Sequence, residues 1–202
     1  VSAVAHHVMA IVSHRQSSPV IAREGRMSEP TTDDLIALLA SVPDQLEAAL
    51  PAASLTSVAP PASNASNASN ASSAASGEEG WTTSEIIGHL CDAARYWGGR
   101  MRLAVYEERP RLEPFDQDAL VRLAAYRYTP ADALLRELRL VSASNVALLR
   151  GLRPEQWERV GVHAERGALT VRQMVEIEAS HEQDHAQAFA AAMRTKGEQA
   201  HD

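Results

Sequence analysis

The chain has 202 residues, a formal net charge of −7 and a single cysteine, Cys91. That length suits one domain with a substantial core, and the acidic balance argues against a nucleic-acid binder working through a basic surface. A lone cysteine allows no internal disulfide and points to a reducing cytoplasm, and no apolar run approaches the ~20 residues of a membrane span.

Residues 1–30 read as a disordered tail. His6 and His7 interrupt its apolar stretch, which speaks against a signal peptide. Met27 followed by Ser-Glu-Pro reads like a natural start, which makes His6, His7 and His14 solvated tail residues. The first helix is expected from about Asp33 to Leu50, capped within Thr31-Thr32-Asp33, with a kink or break at Pro43. Residues 51–80 are rich in Ser, Asn and Ala, too small and polar to offset the entropy of ordering, and read as a flexible loop. Asn64, Asn67 and Asn70 sit there in Asn-x-Ser triplets, which repeat slippage explains; without a secretory signal, glycosylation is not expected.

A second helix is expected from about Thr83 to Glu107, opened by a capping box between Thr82 and Glu85. Its apolar stripe is Ile86, Leu90, Ala93, Trp97, Met101 and Ala104. After prolines 110 and 114, a short helix is expected over Asp116–Tyr126. A third long helix spans about Pro130 to Leu152 with Thr129 as cap; Leu134, Leu138, Val141, Asn145, Leu148 and Leu152 share its apolar face. A short turn at Pro154–Trp157 precedes a fourth helix from about Thr170 to Arg194, and residues 196–202 read as a tail. Strands are expected to be few. Four amphipathic helices of this size imply an all-α, antiparallel four-helix bundle over residues 31–195, with one long connection between the second and third.

The chemistry lies in polar residues on those apolar faces. Residues four apart stack on one helix face, so His181 and His185 can present two imidazoles to one ion. His89 on the second helix can supply a third, closing a facial site that leaves positions open for water or substrate. A His-x-x-x-His pair alone is common on helices, and a single buried histidine is usually a hydrogen-bonded core residue. Here Glu178 and Glu182 fall mid-stripe on the same helix as the pair. Buried carboxylates and imidazoles are costly unless paired or bound to an ion.

These segments resemble a known family. Trp81-Thr-Thr-Ser-Glu-Ile-Ile-Gly-His89-Leu-Cys-Asp92 is similar to the second-helix motif of the DinB-like metalloproteins, which include the YfiT-type metal-dependent hydrolases and the bacillithiol S-transferases. The segments from Arg109 to Asp116 and from Leu148 to Trp157, together with Gly167–Met174 and His181-Glu-Gln-Asp-His185, resemble later parts of the same pattern in order and spacing. The likeness covers roughly Thr31 to Met193. It implies a four-helix bundle whose metal ligands fall on His89, His181 and His185, holding a divalent ion, zinc or nickel. Some members transfer low-molecular-weight thiols to electrophiles and others isomerise maleylpyruvate. The long Asn-Ala-Ser loop and the N-terminal tail depart from the family pattern, and neither touches the ligands.

The function expected on this basis is a metal-dependent transferase that joins a low-molecular-weight thiol to a small-molecule electrophile in detoxification or stress response. A metal-dependent hydrolase and a non-catalytic metal-binding stress protein are the alternatives. Glu178 and Glu182 are the candidate catalytic groups, orienting an imidazole or accepting the thiol proton; a salt-bridged glutamate is the bland alternative for each. Asp92 reads as a supporting group. Asn145 lines a pocket or is a core amide, and Arg100 meets an anionic cofactor group or snorkels to solvent. Cys91 lies off the stripe and is not expected to be a nucleophile. A homodimer is the expected assembly.

Overall fold

The computed structural model describes residues 29–50 and 80–199. The tail histidines, Met27 and the Asn64–Asn70 repeat lie outside the described residues. Among the described residues, six helices and three short strands follow one another: α1 (Thr32–Ala49), α2 (Thr83–Tyr106), β1 (Arg111–Leu112), α3 (Gln117–Ala124), a 3-10 turn (Tyr126–Tyr128), α4 (Ala131–Arg150), α5 (Pro154–Trp157), β2 (Val160–His163), β3 (Gly167–Thr170) and α6 (Val171–Gln199).

Local chemistry sets most boundaries. Thr31 opens α1 by accepting from the Asp34 N–H, and Asp34 accepts in return from the Thr31 N–H; Thr82 and Glu85 repeat this reciprocal cap on α2. Asp116 caps α3 by accepting from the Ala119 N–H. The expected cap at Thr129 is not made. Thr129 instead closes the preceding 3-10 turn with its backbone N–H on Tyr126 O, and Pro130 stands at the α4 N-cap without a side-chain bond. Pro43 does not break α1, which runs through it unbroken. Leu39, Val42 and Leu46 are buried on both sides of the proline, and tertiary packing of that stripe outweighs the lost backbone bond. At the C-terminal end, α6 continues to Gln199, past the expected end at Arg194 and into the segment read as a tail.

The four long helices form the bundle. α1 packs on α6 and α4, and α2 packs on the same two. Arg95 pairs with Glu137, and Arg102 reaches Ser144, so α2 and α4 run side by side in the same direction. Arg172 reaches the Pro30 carbonyl while Gln45 meets Gln183, so α1 and α6 are also parallel. α2 and α6 are antiparallel: Ile86 and Leu90 share a cluster with Phe189, whereas Trp97 and Met101 pack with Met174. A parallel neighbour cannot be reached by a tight turn, which explains the long connection between α2 and α4 that carries β1 and α3.

The core has two apolar halves with a polar stratum between them. One half holds Ile86, Leu90, Leu138, Ala186 and Phe189; the other holds Trp97, Met101, Val146, Met174 and Ala179. Ser142 and Asn145 on α4, and Glu182 on α6, fall between them in sequence and are buried, and Glu178, one turn before Glu182, is buried with them. The α2 stripe is buried as expected, every one of its six residues. On α4 the buried face is rotated toward Ser142, Val146 and Leu149, because this helix touches both α1 and α2.

A small sheet closes one side of the bundle. β2 pairs antiparallel with β3, Val160 opposite Thr170 and His163 opposite Gly167, and β1 adds in parallel with Arg111 opposite Val162. Gly167 takes φ +74 in the turn, a conformation that L side chains rarely adopt.

Close approach also decides two helical glycines. A Cβ on Gly88 would lie 2.3 Å from the Tyr126 ring, and one on Gly98 would lie 2.1 Å from Asn145 Oδ1. Asn145 is fixed there, donating to Ala94 O at 2.8 Å and accepting from Arg102 at 2.8 Å. Gly98→Ala must therefore displace a bonded amide inside the polar stratum. We expect a loss of about 1–3 kcal/mol in urea unfolding, the usual range for overpacking; unchanged unfolding would show that the amide is not fixed.

Candidate metal centre

α2 and α6 bring the three expected histidines together. His89 Nε2 lies 3.1 Å from His181 Nε2, although the residues are 92 apart in sequence. The His185 ring centroid lies 5.1 Å from that of His89 and 4.6 Å from that of His181. The three side chains offer ligand atoms all within 4.8 Å of one another. Among the described residues this is the one His, Cys, Asp and Glu grouping of that kind. His89, expected at the edge of its stripe, is almost wholly buried at 1 % exposure. Trp81 packs beside it, with ring centroids 5.2 Å apart.

The electrostatics favour neutral imidazoles. Burial, and then the neighbouring His185, push His89 down to about 3. Burial pushes His185 down to about 4. His181 is held well below its ordinary value by burial first, then by His185, His89 and Arg166. Neutral imidazoles are the form a metal needs.

The donor set fits a divalent ion. Two ring nitrogens 3.1 Å apart need a proton or a cation between them. His185 Nε2 is buried and has no partner. Zinc–nitrogen bonds of about 2.0–2.1 Å at tetrahedral angles put neighbouring nitrogens about 3.3 Å apart, close to the separation found here. Three imidazoles leave a fourth position free for a substrate group.

The candidate carboxylates are brought near but not into contact. Glu178 and Glu182 are each 1 % exposed. One Glu178 oxygen and both Glu182 oxygens lack any partner, as do Nδ1 of His89 and of His181. The expected direct orientation of an imidazole by either glutamate is therefore not made. Burial pushes Glu182 up to about 8. Burial, and then the Glu182 charge, raise Glu178 well above the carboxylate range, while Asn145 and Arg102 pull it the other way.

The remaining expectations resolve plainly. Cys91 is buried, donates to Leu134 O at 3.4 Å and is pushed up to about 12 by burial, so it is no nucleophile. Asp92 accepts from the Tyr126 hydroxyl at 2.9 Å and from Arg95 at 3.3 Å, a structural role. Asn145 is a core amide bonded to backbone. Arg100 does not snorkel: it is buried at 6 % exposure. The sequence reading missed Ser142, whose buried hydroxyl has no partner, and the β2–β3 hairpin, which carries His163 and Arg166 beside α2. The alternation in Val160-Gly-Val-His and the glycine after Arg166 were the available signals.

The comparisons with known proteins agree with this geometry. The model of the DinB superfamily matches residues 34–188. A protein of Oceanobacillus iheyensis, named as a candidate metal-dependent hydrolase, is 31% identical over 106 residues, which is 52% of this chain and 61% of that protein. YfiT of Bacillus subtilis, named in the same way, is 30% identical over 84 residues, 42% of this chain and 47% of its own. The chain thus aligns with between 47% and 61% of the length of these curated relatives. A solved structure of YfiT, described as having an unusual four-helix bundle topology, matches with a TM-score of 0.67 at 23% identity, over 88% of this chain and 93% of that one. At that identity the likeness speaks for the fold. Because the family match runs through the helices that carry His89, His181 and His185, and spans most of the chain, this protein belongs to the DinB superfamily.

Proposed function

We propose that this protein is a metal-dependent transferase that conjugates a low-molecular-weight thiol to small electrophiles in detoxification or stress response. The observation that carries the proposal is the buried three-imidazole cluster, neutral and with a position left for a substrate group. A divalent ion held by His89, His181 and His185, zinc or nickel by the donor chemistry, would supply Lewis acidity that favours the nucleophilic form of a thiol. Trp81 and the apolar bundle would exclude water from the reacting sulfur.

Glu182 is the proposed proton acceptor. Its carboxyl, raised to about 8, is matched to an ordinary thiol near ~8.5, so the proton can move either way at little cost. As the proton passes to ionised Glu182, directly or through one water, the sulfur would form its bond to the electrophile and displace a leaving group from it, chloride in the case of 1-chloro-2,4-dinitrobenzene. Glu182, once ionised, would in turn hold Glu178 protonated through its charge. A reducing cytoplasm is the proposed setting, since it keeps thiols available.

The test is thiol consumption with 1-chloro-2,4-dinitrobenzene and a panel of thiols, run on metal-loaded and chelator-stripped protein. We expect transfer only with metal and its return on adding zinc or nickel. Transfer unchanged in stripped protein would overturn the reading. The names of the curated relatives favour a second one, metal-dependent hydrolysis; ester cleavage that needs metal and no thiol would select it.

A further inference from the structure

The flank of the bundle beside the histidine cluster carries positive charge that the proposed chemistry does not use. Arg100 lies eleven residues after His89 on α2, three turns along and only about 20° away around the helix. Its guanidinium is buried between two aromatic rings, 4.6 Å over Trp97 and 5.4 Å over Phe115. One NH2 group donates to the Glu113 carbonyl, while Nε is buried with no acceptor. Among the described residues Arg100 makes no ion pair. A desolvated cation without a counter-charge is costly, and cation–π contact offsets only part of that.

The β2–β3 hairpin brings more donors to the same place. His163 stacks on Trp97, with ring centroids 6.3 Å apart and planes 18° apart. Its Nδ1 accepts the Glu165 N–H at 3.2 Å and the Arg166 N–H at 3.4 Å. Nδ1 is thus an acceptor, which leaves Nε2 to carry the proton and donate. Arg166 is exposed in this turn and forms no ion pair among the described residues. Its charge acts on Arg100, His163 and His181 alike, so it stands near all three. Two carboxylates are nearby. Glu113 is engaged with Arg111 at 2.6 Å, and Glu165 stands in the same turn as Arg166. Two arginines against one free glutamate leave the flank positive.

We infer that Arg100, Arg166 and His163 form a subsite for a carboxylate carried by a reactant whose other end reaches the histidine cluster. The inference rests on the proposed chemistry only in naming that reactant as the thiol or the electrophile. Arg100 would hold the carboxylate from within the aromatic sandwich, and Arg166 would close over it from the hairpin.

Calorimetric titration of metal-loaded protein with succinate tests this without any turnover, so a failed transfer reaction leaves its outcome readable. We expect succinate to bind and uncharged succinamide not to. Arg166→Ala, at an exposed position and with metal content unchanged, should weaken succinate at least about tenfold, and Arg100→Gln more, since charge-assisted hydrogen bonds are lost. If Arg100→Gln does not fold, Arg166→Glu carries the same test by charge reversal. No succinate binding, equal binding of succinamide, or native affinity in both the Arg166→Ala and Arg166→Glu proteins would overturn the inference. In the transfer assay, an Arg166→Ala increase in KM confined to mercaptosuccinate, with 2-mercaptoethanol unaffected, assigns the carboxylate to the thiol. An increase confined to bromoacetate, with bromoacetamide unaffected, assigns it to the electrophile.

Discussion

Replacing His181 by alanine will release the divalent ion and leave the helices in place. The ring sits at the centre of the cluster, 3.1 Å from His89 Nε2 and next to His185 in the stack. Removing one of three ligands leaves two imidazoles that cannot fix a geometry. Outer partners of a ligand cost 10–100-fold in affinity when lost, so loss of a ligand itself should exceed about 100-fold by the same measure. His89→Ala and His185→Ala should do likewise. The helices persist because their apolar stripes, from Ile86 to Ala104 on α2 and from Val171 to Phe189 on α6, are untouched. Metal analysis of purified protein beside far-ultraviolet circular dichroism reads both halves of the expectation. Full metal occupancy in His181→Ala would remove this histidine from the site.

The second large effect is a narrow window of stability for the metal-free fold. The three imidazoles have depressed values, so the unfolded chain takes up protons below its ordinary histidine value near ~6.5 while the fold stays neutral. Stability then falls as pH drops from that point toward about 4 and about 3, where His185 and His89 titrate in the fold. The glutamates act in the opposite sense. Glu182 is raised, so its contribution is whole below the ordinary carboxylate value and is lost as pH rises through about 8. At 1.36 kcal/mol per pKa unit, the Glu182 limb alone is on the order of 5 kcal/mol. Urea unfolding of stripped protein should therefore peak at about pH 6, where the imidazole and carboxyl limbs cross. Glu182→Gln should flatten the alkaline limb, and saturating metal should lift the curve wherever the folded imidazoles are neutral, above about pH 4. Equal stability at pH 6 and pH 9 in stripped native protein would refute the buried-carboxyl account.

Much of this was legible because helix periodicity is a strong signal. Every residue of the α2 stripe is buried, and the i,i+4 spacing of His181 and His185 fixed their shared face without any tertiary knowledge. The reciprocal cap at Thr82 was legible for the same reason, being local, and the cap of α1 was narrowed to Thr31-Thr32-Asp33. What was not legible is tertiary. Ser142 faces the core because α4 is wedged between α1 and α2, which no single-helix wheel contains. Pro43 is tolerated because Leu39 and Leu46 are packed on either side. The hairpin bearing His163 and Arg166 is two four-residue strands, too short for alternation to stand out beside long helices. Whether Glu182 faced solvent or core followed from its stripe; that it lacks every partner did not.

The separation between His89 and its two companions has a consequence for synthesis. Ligands that lie 92 residues apart cannot meet until α6 has been made, because His181 follows His89 by that much chain. At translation rates of about 5–20 residues per second, His89 waits seconds before His181 exists. During that interval the nascent chain offers a lone imidazole, a poor trap for any ion. The ion is therefore acquired only once α6 has docked, and the metal that fills the site is decided by the free ions present in the compartment where that happens.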